Sequence, residues 1–159
     1  MASYREAPVD PDAILEDIRS IAAVESPTSH PAGVNRVLDI ISGWFSGTDA
    51  TLERSKIDDR FGDILKVRSK ATSGTGGILV LSHVDTVHPV GTLAGPLPLR
   101  RDGDRFYGPG VYDMKGGLTL AVAAFRRLAH AKISGPLPIT FMFTPDEEVS
   151  SVASRRHIE

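Results

Sequence analysis

The sequence predicts an α/β domain in three layers, α/β/α, around a mixed and largely parallel central sheet. Two short apolar runs, residues 78–82 (ILVLS) and 138–144 (PITFMFT), have the length and continuity of strands covered on both faces. Apolar residues at helical spacing precede and separate these runs. Buried strands alternating with helices pack as a sheet with helices against its faces. In such sheets ligands gather beyond the carboxyl ends of the strands, and the polar clusters of this chain fall there.

The elements follow in order. Asp10 and Pro11 read as an N-cap and first helical residue, after which Ile14, Leu15, Ile18, Ile21 and Ala22 mark one helical face. A breaker, SPTSHPAG, leads to a second helix through Val34, Val37, Leu38, Ile41, Trp44 and Phe45, which stops at residues 46–48 (SGT); its Trp and Phe are assigned to the core. Residues 50–55 and 63–69 are short strands with mixed faces, and 78–82 is expected at the centre of the sheet. Residues 97–107 alternate around Asp-Gly as a hairpin. Lys115 to Ala131 forms a long helix carrying Leu118, Leu120, Ala121, Ala124, Phe125 and Leu128, 138–144 is a second buried strand, and SVASRRHIE starts a further helix.

Composition removes several classes of function. The chain has 159 residues, 41% hydrophobic and 24% charged, enough for one globular domain with a real core. Its net charge is -2 and its 18 Lys and Arg are scattered, which argues against nucleic acid as a partner. No apolar run approaches the roughly 18 residues of a membrane helix, and the first residues lack a basic start and apolar stretch, so the expected setting is cytoplasmic, away from membranes. There is no cysteine, so any metal must be held by His, Asp and Glu.

Three clusters carry candidate chemistry. His83 and Asp85 follow directly on the first buried strand and leave it on the same side. A metal-binding imidazole usually gives its other N–H to a carboxylate, a role Asp85 could fill, although a purely structural pair is at least as common. His88, in a Pro-containing loop, is assigned to the rim or surface. Asp113 ends a glycine-rich stretch, YGPGVYDMKGG, where it could cap the following helix or aim one carboxylate between two cations. That stretch lacks the order of a phosphate-binding loop. Thr144-Pro-Asp-Glu147-Glu148 follows the second buried strand. Three consecutive acids are usually a solvated loop; the alternative is one glutamate as metal ligand and its neighbour as general base. No H-E-x-x-H, no G-x-S-x-G and no G-x-G-x-x-G after a strand competes with these clusters.

Taken together, LSHVDTVHPVG, YGPGVYDMKGGL and TPDEEVSS, in this order and at these separations, resemble the M20 family of metallopeptidases. The glutamate carboxypeptidase (carboxypeptidase G2-like) branch is the nearest in pattern, with acetylornithine deacetylase and succinyl-diaminopimelate desuccinylase as related branches. The similarity runs from about the first helix to the last residue. It implies a zinc-peptidase-like catalytic domain in which His83 ligates one metal, Asp85 orients it, and Asp113 bridges both metals before a cis Asp113-Met114 bond. It further implies Glu147 as general base and Glu148 as ligand of the other metal. The implied cofactor is two zinc ions, with cobalt or manganese as alternatives. The implied reaction is attack of metal-activated water on an amide bond to a C-terminal amino acid such as glutamate; N-deacylation is the alternative.

Family members run to about twice this length or more, so the resemblance implies that residues 1–159 are the N-terminal portion of the catalytic domain. By the same pattern the rest of that domain, with a further carboxylate and a histidine ligand, and a lid or dimerisation domain that makes the complete enzyme a homodimer, lie outside the chain. Each metal would keep one terminal ligand here plus the shared Asp113, below the three protein ligands usual at a catalytic zinc, so this stretch alone is expected to be partly occupied or empty, and inactive. The expected substrate is a small peptide or an N-acyl amino acid. Two readings from other classes remain beside this one: a non-catalytic remnant or interaction fragment, recognisable by exposed apolar surface, and a phosphoesterase, for which Lys115 alone offers a thin anion pocket.

Overall fold

The structure is a computed structural model and describes residues 9–70 and 76–158. Residues 1–8, read above for the lack of a signal segment, residues 71–75, and residue 159 at the end of the last expected helix lie outside the described residues.

Helix α1 (Pro11–Ala22) begins as the sequence predicts. The Asp10 carboxylate accepts from the amides of Asp12 at 3.1 Å and Ala13 at 3.0 Å, satisfying two of the donors a helix start leaves open. Helix α2 (Pro31–Trp44) also opens on a proline, but His30 makes no side-chain cap there. Helix α3 (Gly116–His130) follows the kinked turn Val111–Lys115, and α4 (Arg155–Ile158) is a single turn.

Six strands are described: β1 (Thr51–Ser55), β2 (Ile64–Arg68), β3 (Ile78–His83), β4 (Arg100–Asp102), β5 (Arg105–Tyr107) and β6 (Ile139–Thr144). Strands β4 and β5 form the expected hairpin, turning at Gly103. The other four make a mixed sheet in the order β1-β2-β6-β3, with β1-β2 and β2-β6 antiparallel and β6-β3 parallel.

The sheet is mixed as expected, but among the described residues only one of its three pairings is parallel, because β1 and β2 join it as an antiparallel pair. The expected place of β3 also fails. Strand β3 lies at an edge of the described sheet, and β6 takes the inner position. Nor is β3 covered on both sides: Ile78, Leu79 and Leu81 are all 44–53% exposed. The apolar run reports the hydrophobicity of the strand correctly. Its coverage depends on neighbours, and among the described residues the face carrying Leu79 and Leu81 has few.

The main core fills the opposite face. Ile21 of α1, Val34, Val37, Leu38 and Ile41 of α2, and Leu118, Val122 and Phe125 of α3 pack on Leu65, Val67, Phe141 and Phe143 of the sheet. Phe45, Phe125 and Phe141 pack mutually with ring centroids 5.4–5.6 Å apart, tilted or edge-on, the geometry aromatic pairs prefer. Phe45 is buried and Trp44 partly so, in keeping with their assignment to the core. On the second face Ile64 and Met142 meet Ile57, Ala153 and Ile158, which places α4 across the sheet from α1–α3. No described helix is long and apolar enough to cross a membrane.

Because β3 and β6 are parallel neighbours in the register His83↔Thr144, their carboxyl ends lie side by side. The chain leaving β3 carries Asp85, and the chain leaving β6 carries Asp146, Glu147 and Glu148. Two clusters, with Asp85 and Glu147 62 positions apart in sequence, are thereby brought to one edge, where ligands of such sheets bind.

Candidate metal centre

The third cluster arrives by a loop. Gly110, at φ 68° and ψ 6°, is in the left-handed region and turns the chain so that Val111–Lys115 lies over the end of β3. The His83 amide donates to Met114 Sδ at 3.4 Å, tying this turn to the strand. Asp113 is neither helical nor a cap: its φ is -124° and ψ 103°, and the Asp113-Met114 peptide is cis, as the resemblance implied. The helix-cap reading is thereby set aside.

His83 Nε2 is 3.0 Å from Asp113 Oδ1 and 3.9 Å from Glu147 Oε2. Ligand atoms of His83, Asp113 and Glu148 all lie within 4.8 Å of one another, the one such group of three or more among the described residues. His88 is not part of it; it is half-buried, and its Nδ1 is buried without a hydrogen-bond partner among the described residues.

Behind the group stands Asp85, fully buried. Its Oδ1 lies 3.3 Å from His83 Nδ1 and accepts from the Glu147 amide at 3.3 Å, while Oδ2 accepts from the Thr28 hydroxyl at 2.6 Å and the Glu148 amide at 3.2 Å. His83 Nδ1 is also 3.1 Å from the Asp85 carbonyl oxygen. One carboxylate therefore faces the imidazole and both glutamate amides, which leaves Nε2 as the nitrogen turned toward Asp113.

The electrostatics have a consistent sense. Burial would lower the pKa of His83, but hydrogen bonds to Asp85 and Asp113 and the charges of Asp85 and Glu147 outweigh it and raise it to about 9. Burial pulls Asp85 upward; the hydrogen bonds from His83, Thr28 and the Glu148 amide win and hold it below its ordinary value. Glu148 is pushed up by burial and by Asp85, Asp113 and Glu147, against the opposing pull of His83. Four carboxylates around one imidazole thus leave the site short of positive charge. A divalent cation would supply that charge, and an imidazole nitrogen with carboxylate oxygens is a donor set that suits zinc. The residues fit the metal on this ground.

Two residues of the site had no functional assignment from the sequence. Thr28 sits in the segment read as a helix breaker, 57 positions from the carboxylate it grips. Asp146, grouped with a solvated acidic loop, is fully buried; its Oδ2 accepts from the amides of Ala153 at 2.7 Å and Ser154 at 3.1 Å and fixes the turn after the glutamates. A run of acids signals neither fate by itself.

Known proteins share this arrangement of elements. A family model described as Peptidase family M20/M25/M40 matches residues 79–159. Carboxypeptidase G2 of Pseudomonas sp. (strain RS-16) is 29% identical over 157 residues, covering 98% of this chain and 37% of that protein. Acetylornithine deacetylase of Vibrio atlanticus (strain LGP32) is 28% identical over 142 residues, covering 88% and 36%. Among solved structures, human carnosine dipeptidase 1 superposes with a TM-score of 0.79 at 17% identity, over 92% of this chain and 34% of that one. An M20 family metallo-carboxypeptidase, Sso-CP2 from Sulfolobus solfataricus, does so with a TM-score of 0.76 at 17% identity, over 94% and 34%. The chain thus spans somewhat over a third of the length of these relatives, and the structural matches share the α/β fold.

Proposed function

Because the chain belongs to peptidase family M20/M25/M40, we propose that it contributes the N-terminal portion of the catalytic domain of a two-metal amidohydrolase. The observation that carries this reading is the convergence of His83, Asp113 and Glu148 within 4.8 Å, backed by Asp85 and flanked by Glu147. His83 and Glu148 would each hold one ion, with Asp113 shared between them. Zinc is the first choice, with cobalt or manganese as alternatives. A cation held there would serve as a Lewis acid for an amide carbonyl and would bring the ionisation of water toward neutral pH.

The chain's own residues do the rest. Asp85 holds His83 so that Nε2 faces the group. Glu147, about half exposed and beside His83, is free to take a proton from water and return it to the leaving nitrogen. Glu148, half-buried, has its amide tied to Asp85 and its side chain in the metal group.

The proposed substrate is a small peptide or acyl amino acid cleaved at the amide bond to a C-terminal residue such as glutamate. This choice is supported by the likeness to carboxypeptidase G2. N-deacylation is the second reading, supported by the likeness to acetylornithine deacetylase. Both use the same site and differ in what grips the substrate. The further metal ligands and a lid and dimerisation domain are assigned to sequence outside these residues, in keeping with the third of the relatives' length that the chain covers.

Neighbouring substitutions test the division of labour. Glu147→Gln should leave zinc binding intact and lower hydrolysis of an amide-linked C-terminal glutamate by roughly 100-fold or more. Glu148→Gln should lose zinc. The 159 residues alone should bind zinc weakly and turn nothing over, whereas a longer form with the remaining ligands should be active. Hydrolysis by the longer form that survives Glu147→Gln would refute the mechanism, and turnover by the 159 residues alone would refute the need for outside ligands.

A further inference from the structure

We propose that Thr28 is a positioning residue of this centre, whose hydroxyl locks the Asp85 carboxylate so that it can aim His83 and anchor the peptide carrying Glu147 and Glu148. This inference rests on the reading of the site given above.

Asp85 is fully buried, and its carboxylate accepts three hydrogen bonds and lies against His83 Nδ1, which is also 3.1 Å from the Asp85 carbonyl oxygen. Three of those contacts are long: the two glutamate amides at 3.3 and 3.2 Å and His83 Nδ1 at 3.3 Å. The Thr28 hydroxyl, at 2.6 Å, is the short one, within the range of a charge-assisted O–H···O⁻ bond. Without it Oδ2 would keep only the Glu148 amide. A carboxylate can rotate about its Cβ–Cγ bond, and such a rotation would move Oδ1 away from both His83 and the Glu147 amide. The hydroxyl therefore acts at one remove on the imidazole and on both glutamates.

Thr28 can do this because it is itself held. The segment between α1 and α2 runs beside the exit of β3 as a strap. Pro27 pairs with Thr86 in a parallel bridge, the Thr86 amide donates to Ser26 O at 3.0 Å, and the Ser26 hydroxyl donates to Val84 O at 2.9 Å. Lys115, fully buried, donates from Nζ to Val24 O at 2.9 Å and ties the strap to the turn that carries Asp113. Thr28 is almost wholly buried at the end of this strap. A threonine on a free loop would lose rotamer entropy to make the same bond; here the backbone has already been fixed. The strap thus links the Asp113 turn, through Lys115, to the Asp85 carboxylate, through Thr28.

The test separates this role from simple packing. Thr28→Val keeps the shape and removes the donor, Thr28→Ser keeps the donor, and Ser26→Ala removes a hydroxyl from the same strap that does not touch Asp85. The readouts are amide hydrogen exchange at Glu147 and Glu148 in metal-free protein, and affinity for zinc alone. In Thr28→Val both amides should lose roughly tenfold in protection and zinc affinity should fall about tenfold. Thr28→Ser should restore both, and Ser26→Ala, whose strap keeps its bonds to the Thr86 amide and to Lys115, should lose clearly less than Thr28→Val. Parent-like protection and affinity in Thr28→Val would overturn the proposal, as would equal losses in Ser26→Ala. Should valine prevent folding, Thr28→Ser decides: retained protection and affinity support the role of the hydroxyl, and a loss overturns it. If the 159 residues bind no zinc at all, zinc binding by the longer form judges the metal-centre reading, while the exchange data still judge Thr28.

Discussion

Replacing Gly110 by alanine probes how tightly the Asp113 turn is seated. Gly110 has φ 68°, where a side chain costs about 1–2 kcal/mol. A Cβ added there would also lie 2.5 Å from Thr86 Cγ2, 3.3 Å from Lys115 Cδ and 3.4 Å from the Asp113 carbonyl oxygen. Thr86 cannot easily yield, because it is nearly fully buried and its amide is bonded to Ser26 O. Overpacking of this kind costs about 1–3 kcal/mol, so the sum is roughly 2–5 kcal/mol. For a chain of this size that is a fall in Tm of roughly 4–20 °C. Zinc affinity should fall as well, since the turn that must shift carries Asp113. Gly117 is the control: it is helical, an added Cβ meets nothing within 4 Å, and alanine favours a helix over glycine by up to about 1 kcal/mol. Thermal unfolding followed by circular dichroism, with a zinc titration on each variant, reads both effects. An unchanged Tm in Gly110→Ala, or an equal fall in Gly117→Ala, would refute the reasoning.

Three further outcomes follow from other parts of the molecule. Asp85→Asn should lower zinc affinity roughly 10–100-fold, as loss of a carboxylate behind a metal-binding histidine does, and competition with a chelating dye would measure it; unchanged affinity would show that His83 needs no such partner. Glu25 accepts from the amides of Gly91 at 2.8 Å and Leu93 at 2.8 Å, and these bonds hold its pKa below the ordinary 4.5 against a small opposing effect of burial. A carboxyl with a depressed folded pKa contributes its full share of stability above the unfolded pKa and loses it as pH falls through the folded value. The Gly91 and Leu93 amide resonances should therefore move in that acid range, and Glu25→Gln should abolish the transition; a transition that persists would assign it elsewhere. Phe141→Ala empties the centre of the aromatic cluster and should cost about 3–5 kcal/mol in denaturant unfolding, with a loss under 1 kcal/mol showing that the core can collapse around the gap.

How much of this could be read from the sequence depended on how local each cause was. Helix α1 was legible because its start is set by adjacent residues: Asp10 caps and Pro11 opens the first turn. The hairpin around Gly103 was legible for the same reason. The place of β3 was not. An apolar run states that a strand wants burial, but edge or centre is decided by pairing with β6, about 60 residues away. Ile78, Leu79 and Leu81 carry central-strand chemistry at an edge, beside which no other strand pairs among the described residues.

The site divides along the same line. The proposed ligands His83, Asp113 and Glu148 could be put forward in advance because three motifs at strand and loop ends together resemble a known family; each motif alone also allowed a structural reading. What holds them could not. Asp146, Glu147 and Glu148 are three acids in a row with three fates: the first is buried and fixes the following turn, the second is about half exposed, and the third is half-buried in the metal group. No local rule separates them. The separation comes from Asp85, which takes the Glu147 and Glu148 amides on different oxygens and so fixes how that peptide sits. Asp85 is in turn oriented by Thr28, from a segment whose composition announces only a break between helices. The proposed ligands are thus encoded locally and their aim non-locally. A substitution in the α1-α2 strap can therefore disable the centre without touching any residue that would bind the metal.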